Sequence, residues 1–347
     1  MVDFIDDRKR KILKAIVQEH ILTAEPIGSR TLAKNYEFGV SSATIRNEMS
    51  DLEDMGYLEQ PYTSAGRVPS DKGYRYYVDS LMETRDYPEQ EIRKMLGEFT
   101  FEQNVQTIMS NLARMLSRLT RYTAVISEPQ LKKSRIREIK LLKVSRKNLL
   151  IVLVTDTGIV NNKIISLTKE ISSKQLRYLN EFFSRKLQKR ELNTLDEGFL
   201  SKIEEELLNR LKMSERIIKL IFDEMLKVAK PAELKVHLGG TSYILEQPEF
   251  NNLENLKKVL NILDHEEILG KLLNSFSDNE LKVVIGHENQ LEEMHKCSIV
   301  IATYCIGDKP LGKLGVIGPT RMHYPMVVST VNSLSKIVGK IISRMDG

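Results

Sequence analysis

A short stretch near the N-terminus constrains the fold more than any other part of the sequence. Residues 41–77, SSATIRNEMSDLEDMGYLEQPYTSAGRVPSDKGYRYY, begin with a helical pattern and continue into turn-forming residues. The apolar positions advance by four, three and three residues, which is the spacing of one helical face: Ile45, Met49, Leu52 and Met55. Ser41 or Ser42 is a suitable N-cap, and Gly56 ends the pattern. The sequence therefore predicts an amphipathic helix of about three turns here.

Two further helices are predicted before this one and a hairpin after it. Residues 6–22 carry apolar side chains on one helical face, and a short helix that begins at residues 28–29 is expected to bury Leu32 and Ala33. The segment YLEQPYTSAGRVP predicts two strands joined by a tip, with Gly66 at the turn. The order helix, helix, turn, helix, hairpin is that of a winged helix-turn-helix, which occurs in DNA-binding domains and also in protein–protein modules.

The remainder of the chain changes its hydrophobic period twice. Residues 88–120 have helical spacing, whereas three strand-like segments lie between residues 136 and 167. Residues 168–278 are mostly helical and rich in Leu, Lys and Glu. Strand patterns return at 281–286, 297–307 and 311–318, before a final amphipathic helix. Strands on both sides of a long helical stretch predict one α+β domain that is split by an insertion.

The charge is small overall but unevenly distributed. The net charge is +5, and residues 1–80 hold 11 Lys or Arg against 13 Asp or Glu. Residues 121–150 hold nine basic residues against two acids, but these alternate with apolar residues at strand spacing. We interpret them as the solvated face of an antiparallel sheet and not as a nucleic-acid site.

Composition also bears on location. No apolar run approaches the roughly 20 residues that span a membrane. The charged N-terminus lacks the apolar core of a secretory signal, and two cysteines predict no disulfide framework. We therefore expect a cytoplasmic protein with no membrane partner.

The predicted helix at residues 42–55 has a face suited to the edges of DNA bases. Rotation by about 100° per residue from the buried Ile45 places four small or hydrogen-bonding side chains outward: Ala43, Arg46, Asn47 and Ser50. Arg can donate twice to guanine, Asn can pair with adenine, and Ala can contact a thymine methyl group. These four residues are predicted to read bases in the major groove.

Other residues are predicted to position the DNA backbone. Hydroxyls and free amides at a helix start can hold a phosphate, and a hairpin tip can contact the backbone or the minor groove. The residues concerned are Ser41, Ser42 and Thr44 at the helix start, and Tyr62, Arg67 and Lys72 around the hairpin. For Tyr74, Tyr76 and Tyr77, packing between hairpin and helix is the favoured interpretation.

Acidic residues occur in the same helix and must be accommodated. Glu48, Asp51, Glu53 and Asp54 all lie towards its C-terminal part, which should turn away from a duplex. Rotation alone points Asp51 and Asp54 outward, so they are expected to limit how deeply the helix can enter the groove.

No catalytic or cofactor site is predicted. His295, Cys297 and Cys305 lack the spacing of zinc ligands, and the glycine-rich segments lack the Lys-Ser/Thr ending of a phosphate loop. No nucleophile triad or carboxylate pair is evident, so we expect neither an enzyme nor a bound metal or cofactor. The segment IGHENQ, residues 285–290, could line a small-ligand site or form a capped turn at a strand end.

Residues 41–79 closely resemble the N-terminal signature of HrcA, the bacterial heat-inducible transcription repressor family. The resemblance continues in GGTSYILEQPEF at 239–250, in IGHENQ at 285–290, and in CSIVIATYCIGDKPLGKLGVIGPTRMHY at 297–324. It therefore extends over essentially the whole chain, through long and specific motifs. One departure is His323, where the family usually has Asp.

The resemblance implies a domain organisation and a function. It implies a winged-helix DNA-binding domain at 1–87, and a GAF-like domain at 88–167 and 279–347 that includes the C-terminal helix. A mainly helical dimerisation domain is implied as an insertion at 168–278. The implied function is negative regulation of class I heat-shock (chaperone) operons by a homodimer bound to an inverted-repeat operator, the CIRCE element. The chaperonin is the implied partner that maintains activity, which is lost on heat stress. A regulator whose central domain senses a metabolite is the alternative.

Overall fold

The computed structural model describes residues 5–83, 105–129, 135–156, 160–195, 197–210, 215–229, 235–277, 281–307 and 309–345. Within these residues the fold is α+β, as predicted, and contains three antiparallel sheets. We refer to residues 5–83 as the head, to residues 105–129 and 235–345 as the central domain, and to residues 135–229 as the insertion.

The head contains its helices and hairpin in the predicted order. Its elements are α1 (Asp7–Thr23), α2 (Ser29–Asn35), α3 (Ser42–Asp54), β1 (Leu58–Glu59), β2 (Val68–Pro69) and α4 (Asp71–Tyr76), followed by a π-helical turn at Tyr77–Leu81. Leu32 of α2 is buried, but Ala33 is exposed, so the prediction for Ala33 was wrong. The short α2 buries one narrow stripe, and the position next to Leu32 turns towards solvent.

Seven helices and eight strands are described after the head. In chain order they are α5 (Val105–Thr120), β3 (Thr123–Ser127), β4 (Ile136–Lys143), β5 (Asn148–Thr155), β6 (Val160–Ser166), α6 (Ser173–Leu187), α7 (Glu197–Arg210), α8 (Glu215–Ala229), β7 (Val236–Gly239), α9 (Leu253–Asp264), α10 (Glu266–Asn274), β8 (Lys282–Ile285), β9 (Cys297–Ile306), β10 (Lys309–Pro319) and α11 (Tyr324–Met345). The predicted helix at 88–120 is found as α5 from residue 105 onward, and residues 84–104 lie outside the described ranges.

The central domain is a five-stranded antiparallel sheet with helices on both faces. The strand order is β7-β3-β10-β9-β8. One face packs against α5 and α11 and the other against α9 and α10, so β3 and most of β9 are buried on both sides. This double coverage explains why these strands have continuous apolar runs. The hairpin predicted between 297–307 and 311–318 is confirmed as the β9–β10 pair.

The insertion has its own sheet and its own core. Strands β4, β5 and β6 pair in that order, and helices α6, α7 and α8 cover one face. The basic residues Arg137 and Lys140 are exposed on β4 between buried Ile136, Ile139 and Leu141, which confirms the interpretation of this segment as a half-solvated sheet. The chain leaves and re-enters the central sheet at neighbouring positions, since the Glu128 amide donates to the Lys235 carbonyl at 2.8 Å.

This grouping of strands differs from the expected ranges 88–167, 168–278 and 279–347. Strands β4, β5 and β6 form a separate sheet, whereas β7, α9 and α10 pack with the central sheet. The reason is that hydrophobic periodicity identifies strands but not the strands with which they pair.

The head is docked on the central domain through α4. The rings of Tyr74 and Tyr324 lie 5.9 Å apart. Arg75 forms a bidentate ion pair with Glu288, with 2.8 Å between Nε and Oε1, and also donates to the Val283 carbonyl at 2.7 Å.

A second pair of contacts completes this junction. Asp71 Oδ2 accepts from the His287 amide at 2.9 Å and lies 2.7 Å from His287 Nδ1. Arg321 donates to the carbonyl of Ile21 at 3.2 Å. The junction thus uses one side of α4 and the C-terminal end of α1, and leaves the outer face of α3 uncovered.

His20 lies inside this junction, and its protonation should weaken it. Its Nδ1 is 2.6 Å from the Tyr74 hydroxyl. Burial, together with the nearby Arg321 guanidinium, lowers the pKa of His20 from 6.5 to about 4. Between these two values the unfolded chain binds more protons than the folded chain, so the free energy of unfolding should fall as the pH falls from about 6.5 to about 4.

We expect this single group to remove up to about 3 kcal/mol of stability across that range. The measurement is chemical denaturation at several pH values for the native chain and for His20→Gln, which keeps a hydrogen-bonding side chain without a titratable ring. The stability difference between the two proteins should shift in favour of the variant as the pH is lowered. A difference that does not change with pH would contradict the prediction.

Candidate nucleic-acid interface

Helix α3 is built from a capped N-terminus and one buried stripe. The Ser41 side chain accepts from the Thr44 amide at 3.2 Å, which confirms it as the N-cap. Ile45, Met49 and Leu52 are buried against the rest of the head. The helix ends at Asp54 with Met55 as the C-cap, and Gly56 follows with a φ of +76°, which suits glycine.

The predicted base-reading residues all lie on the uncovered face of α3. Ala43, Arg46, Asn47 and Ser50 are exposed. The side chains of Arg46 and Asn47 make no hydrogen bond or ion pair with any residue in the described ranges. Ser42 and Thr44 are half-buried at the helix start, close to the exposed Ser41. The donors and acceptors of this face are therefore available to another molecule.

Two of the acids of α3 are held by the first helix. Glu48 pairs with Lys9 at 2.7 Å and with Arg8 at 3.2 Å, and Asp51 pairs with Lys9 at 3.0 Å. The hydrogen bonds to Glu48 and then Asp51 raise the pKa of Lys9 above its ordinary value, so it stays charged. Asp51 points outward as expected, but its charge is compensated, and Asp54 is exposed. The α1–α3 ion pairs thus reduce the negative potential beside the exposed face.

The hairpin is fixed at its base by the loop between α1 and α2. Ile27 and Arg67 exchange two backbone hydrogen bonds, each 2.9 Å long. A Cβ atom on Gly66 would lie 2.4 Å from the Ile27 carbonyl oxygen, so only glycine allows this approach. The left-handed residue at the tip is Ser64, with φ of +75°, and not Gly66. The predicted role of Gly66 as the turn residue was therefore wrong, because the close approach to Ile27 explains this glycine.

Two of the predicted backbone contacts are engaged within the head. Arg67 binds Glu53 Oε2 through both Nε and Nη2 at 2.7 Å. Lys72 Nζ donates to the Met55 carbonyl at 2.8 Å and lies 4.3 Å from the centre of the Tyr57 ring. These side chains connect the hairpin and α4 to the end of α3. A contact from either of them to phosphate stays a prediction.

The tyrosines divide as the sequence indicates. Tyr62 is 62% exposed at the hairpin tip. Tyr74 and Tyr77 are buried, and Tyr76 packs edge-to-face on Tyr57 with ring centres 5.4 Å apart. Packing is thus confirmed for the last three, and Tyr62 alone of this group is free to reach outward.

The IGHENQ segment forms a capped turn. The Asn289 side-chain amide donates to three carbonyls, those of Gly286, Met294 and Cys297, at 2.8–3.2 Å. The same turn presents His287 and Glu288 to the head. It also borders a cavity of about 510 Å³ between the head and the central domain.

Neither a membrane-spanning helix nor a cluster of metal-binding side chains is found where the structure is described. None of the helices in the described ranges is both long and apolar enough to cross a bilayer. The same ranges contain no group of three or more His, Cys, Asp or Glu side chains arranged to hold a metal ion.

Comparison with known proteins identifies the family. A family model described as the HrcA protein C terminal domain matches residues 106–328. The heat-inducible transcription repressor HrcA of Symbiobacterium thermophilum is 41% identical over 336 residues, which cover 95% of this chain and 97% of that protein. The protein of the same name from Pelotomaculum thermopropionicum is 40% identical over 343 residues, which cover 98% of each chain.

This chain belongs to the HrcA family. The resemblance inferred from the sequence is thereby confirmed. A solved structure described as a hypothetical protein at 2.2 Å resolution aligns with a TM-score of 0.62 and 23% identity, and covers 99% of this chain and 100% of that one. At that identity the likeness concerns the fold alone.

Several residues that position the site of this HrcA-family chain were not predicted from the sequence. Lys9 neutralises acids about 40 positions away, and Ile27 anchors the hairpin. Arg75 and Arg321 dock the head on the central domain. The motifs at 285–290 and 297–324, which resemble the family, were the available sequence signal for the docking contacts. The first contains Glu288, the partner of Arg75, and the second contains Arg321.

The Arg67–Glu53 pair should stabilise the hairpin in the free protein. Both side chains are mostly buried, at 20% and 29% exposure. In a double-mutant cycle with Arg67→Ala and Glu53→Ala we expect a coupling energy of about 0.5–1.5 kcal/mol, measured by denaturant unfolding. Zero coupling, together with a lower salt dependence of DNA binding in Arg67→Ala, would show instead that Arg67 serves a phosphate contact.

Proposed function

We propose that this chain is a heat-inducible transcription repressor that binds double-stranded DNA through the exposed face of α3. The observation that carries the proposal is the pair Arg46 and Asn47, which are exposed and unpartnered within the described residues at the N-terminal half of a capped helix. We further propose that the head is a winged helix-turn-helix and that the central domain is GAF-like. The names of the relatives support the repressor function.

The chemistry of the α3 face suits base recognition. Arg46 can donate twice to a guanine edge, Asn47 can pair with adenine, and Ala43 and Ser50 can contact the neighbouring bases. Ser41, Ser42 and Thr44 lie at the positive end of the helix, where a phosphate is favoured. Tyr62 is exposed at the hairpin tip and can donate to the backbone. We assign Arg67 and Lys72 first to holding the hairpin in place.

The operator that fits this arrangement is an inverted repeat. A single head offers one short helix and one hairpin, so its affinity should be low. Two heads related by a twofold axis match an inverted repeat, and the linkage raises the effective concentration of the second head. We propose the CIRCE element upstream of class I heat-shock (chaperone) operons as this operator, and repression in the cytoplasm as the outcome.

We propose a homodimer that forms through the insertion. The uncovered face of the β4–β6 sheet carries apolar side chains that a monomer would leave in water: Val160 is 54% exposed and Ile164 59%. Both residues lie on β6, and Ile164 pairs with the half-buried Leu150 on the adjacent strand β5. Contiguous apolar surface of this kind is typical of a protein–protein interface.

This arrangement links temperature to DNA binding. If the dimer holds both heads in register, melting of the insertion removes operator affinity without any change at Arg46. Native domains are only about 5–15 kcal/mol more stable than their unfolded states, so a moderate rise in temperature suffices. We retain the chaperonin as the partner that returns the repressor to its active form.

The Arg46→Ala variant tests the base-reading role. We expect weaker operator binding by about 1–3 kcal/mol and relaxed sequence preference, because a bidentate base contact would be lost. The melting temperature should not change, since Arg46 has no partner in the described part of the protein. Gel-shift titration on an inverted repeat and on single-base variants measures both effects. Arg216→Ala, at an exposed position of α8, is the control. Unaltered affinity and selectivity would refute the role.

The Ile164→Glu variant tests the dimer. A charge within this apolar surface should convert the dimer to a monomer in sedimentation velocity, and operator affinity should fall with it. Leu253→Glu is the matched control, because Leu253 is 69% exposed on α9, outside the insertion. A dimer that persists in Ile164→Glu would place the interface elsewhere.

A further inference from the structure

The insertion concentrates positive charge in one part of the molecule. Residues 135–195 contain 14 Lys or Arg and five Asp or Glu, whereas the whole chain contains 52 and 47. This one segment therefore carries a larger net positive charge than the entire protein, and the rest is net negative. Such an asymmetry produces a local field that attracts acidic partners.

Part of this charge converges on a groove between β4 and α6, which we call the β4–α6 groove. Its volume is about 720 Å³. Four cationic side chains line it, two from the strand and two from the helix: Lys140, Lys143, Arg177 and Arg185. Glu181 is the one acidic side chain among its lining residues.

The groove also has an apolar component. Leu142 from the strand and Leu176 from the helix contribute to its lining, and Leu142 is 47% exposed. A surface that combines exposed leucine with several cations is suited to a segment that carries both carboxylates and apolar side chains. A nucleic-acid backbone would make no apolar contact with these two leucines.

The edge of β4 is closed to strand addition at two points. The Asn180 side chain accepts from the Leu141 amide at 2.7 Å and donates to the Leu141 carbonyl at 3.0 Å. Gln188 donates to the Arg137 carbonyl at 3.2 Å. An incoming segment must therefore bind through its side chains, because the backbone groups at these positions are already paired.

The two lysines of the groove form ion pairs with neighbouring acids, whereas the two arginines do not within the described residues. Lys140 pairs with Glu138 at 2.9 Å, and Lys143 pairs with Glu170 at 2.5 Å. The side chain of Arg177 makes no hydrogen bond or ion pair within the described ranges. Arg185 lies 5.9 Å from the centre of the Phe182 ring. The two arginines are thus available to carboxylates, and Arg favours bidentate contacts with them.

We infer that the β4–α6 groove docks an acidic, leucine-containing peptide segment of a partner protein. Two observations favour a peptide over nucleic acid. Leu142 and Leu176 line the groove and would find no apolar partner on a phosphate chain. Tyr178, the nearby aromatic residue of α6, does not line the groove and stacks on Phe182 with ring centres 6.3 Å apart, so no aromatic side chain lines the groove for bases to stack on. The inference is independent of the proposed DNA contacts, which lie on the head.

Fluorescence anisotropy on the full-length protein tests the inference. The probe is a short fluorescein-labelled peptide of Leu and Glu, compared with a peptide in which Gln replaces every Glu and with a fluorescein-labelled oligo-dT of similar length. We expect the Glu peptide to bind, the Gln peptide to bind at least about tenfold more weakly, and higher salt to weaken the Glu peptide.

Matched variants locate the binding surface. The double variant Arg177→Glu with Arg185→Glu should weaken the Glu peptide by about tenfold or more, because like charges would face each other. Arg216→Glu with Lys219→Glu makes the same charge change at exposed positions of α8 and should alter binding less than about twofold. Circular dichroism checks folding. If the double variant Arg177→Glu with Arg185→Glu fails to fold, the variant Arg177→Gln with Arg185→Gln should still weaken binding of the Glu peptide by about threefold or more.

Four outcomes would overturn the inference. Equal binding of the Gln peptide would remove the role of charge, and equal losses in both double variants would remove the groove as the location. Tighter binding of oligo-dT that is lost in the groove variant would assign the groove to nucleic acid. Loss of the dimer in the groove variant by sedimentation velocity would assign the groove to a second copy of this chain.

Discussion

The ion pairs between α1 and the second half of α3 decide what the exposed helix face presents. Lys9 holds Glu48 and Asp51 at 2.7 and 3.0 Å, so the acids that would oppose a polyanion are compensated where they stand. The N-terminal half of the same helix keeps Arg46 and Asn47 without a partner in the described residues. A nearly neutral head can in this way offer a local surface of positive and amide character. Net charge alone would not have indicated this surface.

The features that follow from local sequence were predictable. The capped start of α3, its buried stripe and the hairpin after Gly56 depend on residues within a few positions of each other. The β9–β10 hairpin and the half-solvated β4 follow from the same kind of pattern. Short-range hydrogen bonding and hydrophobic periodicity determine such elements, so one sequence suffices.

The features that depend on distant residues were not predictable in this way. Gly66 is explained by Ile27, 39 positions earlier, whose carbonyl oxygen leaves no room for a Cβ atom. The sequence does not indicate that Arg67 forms an ion pair with Glu53. Arg75 and Glu288 are 213 positions apart. The separate pairing of β4–β6 belongs to the same class, because strand patterns do not specify partners.

The hydrogen bond between the Glu128 amide and the Lys235 carbonyl has a consequence for how the protein could change. The roughly 100 residues of the insertion begin and end beside each other on a ladder that β3 and β7 complete without them. Closing such a loop costs entropy that grows only slowly with its length. The insertion can therefore be lengthened, exchanged or locally unfolded while the five-stranded sheet keeps its pairing, so its own stability can vary over generations independently of the rest of the molecule.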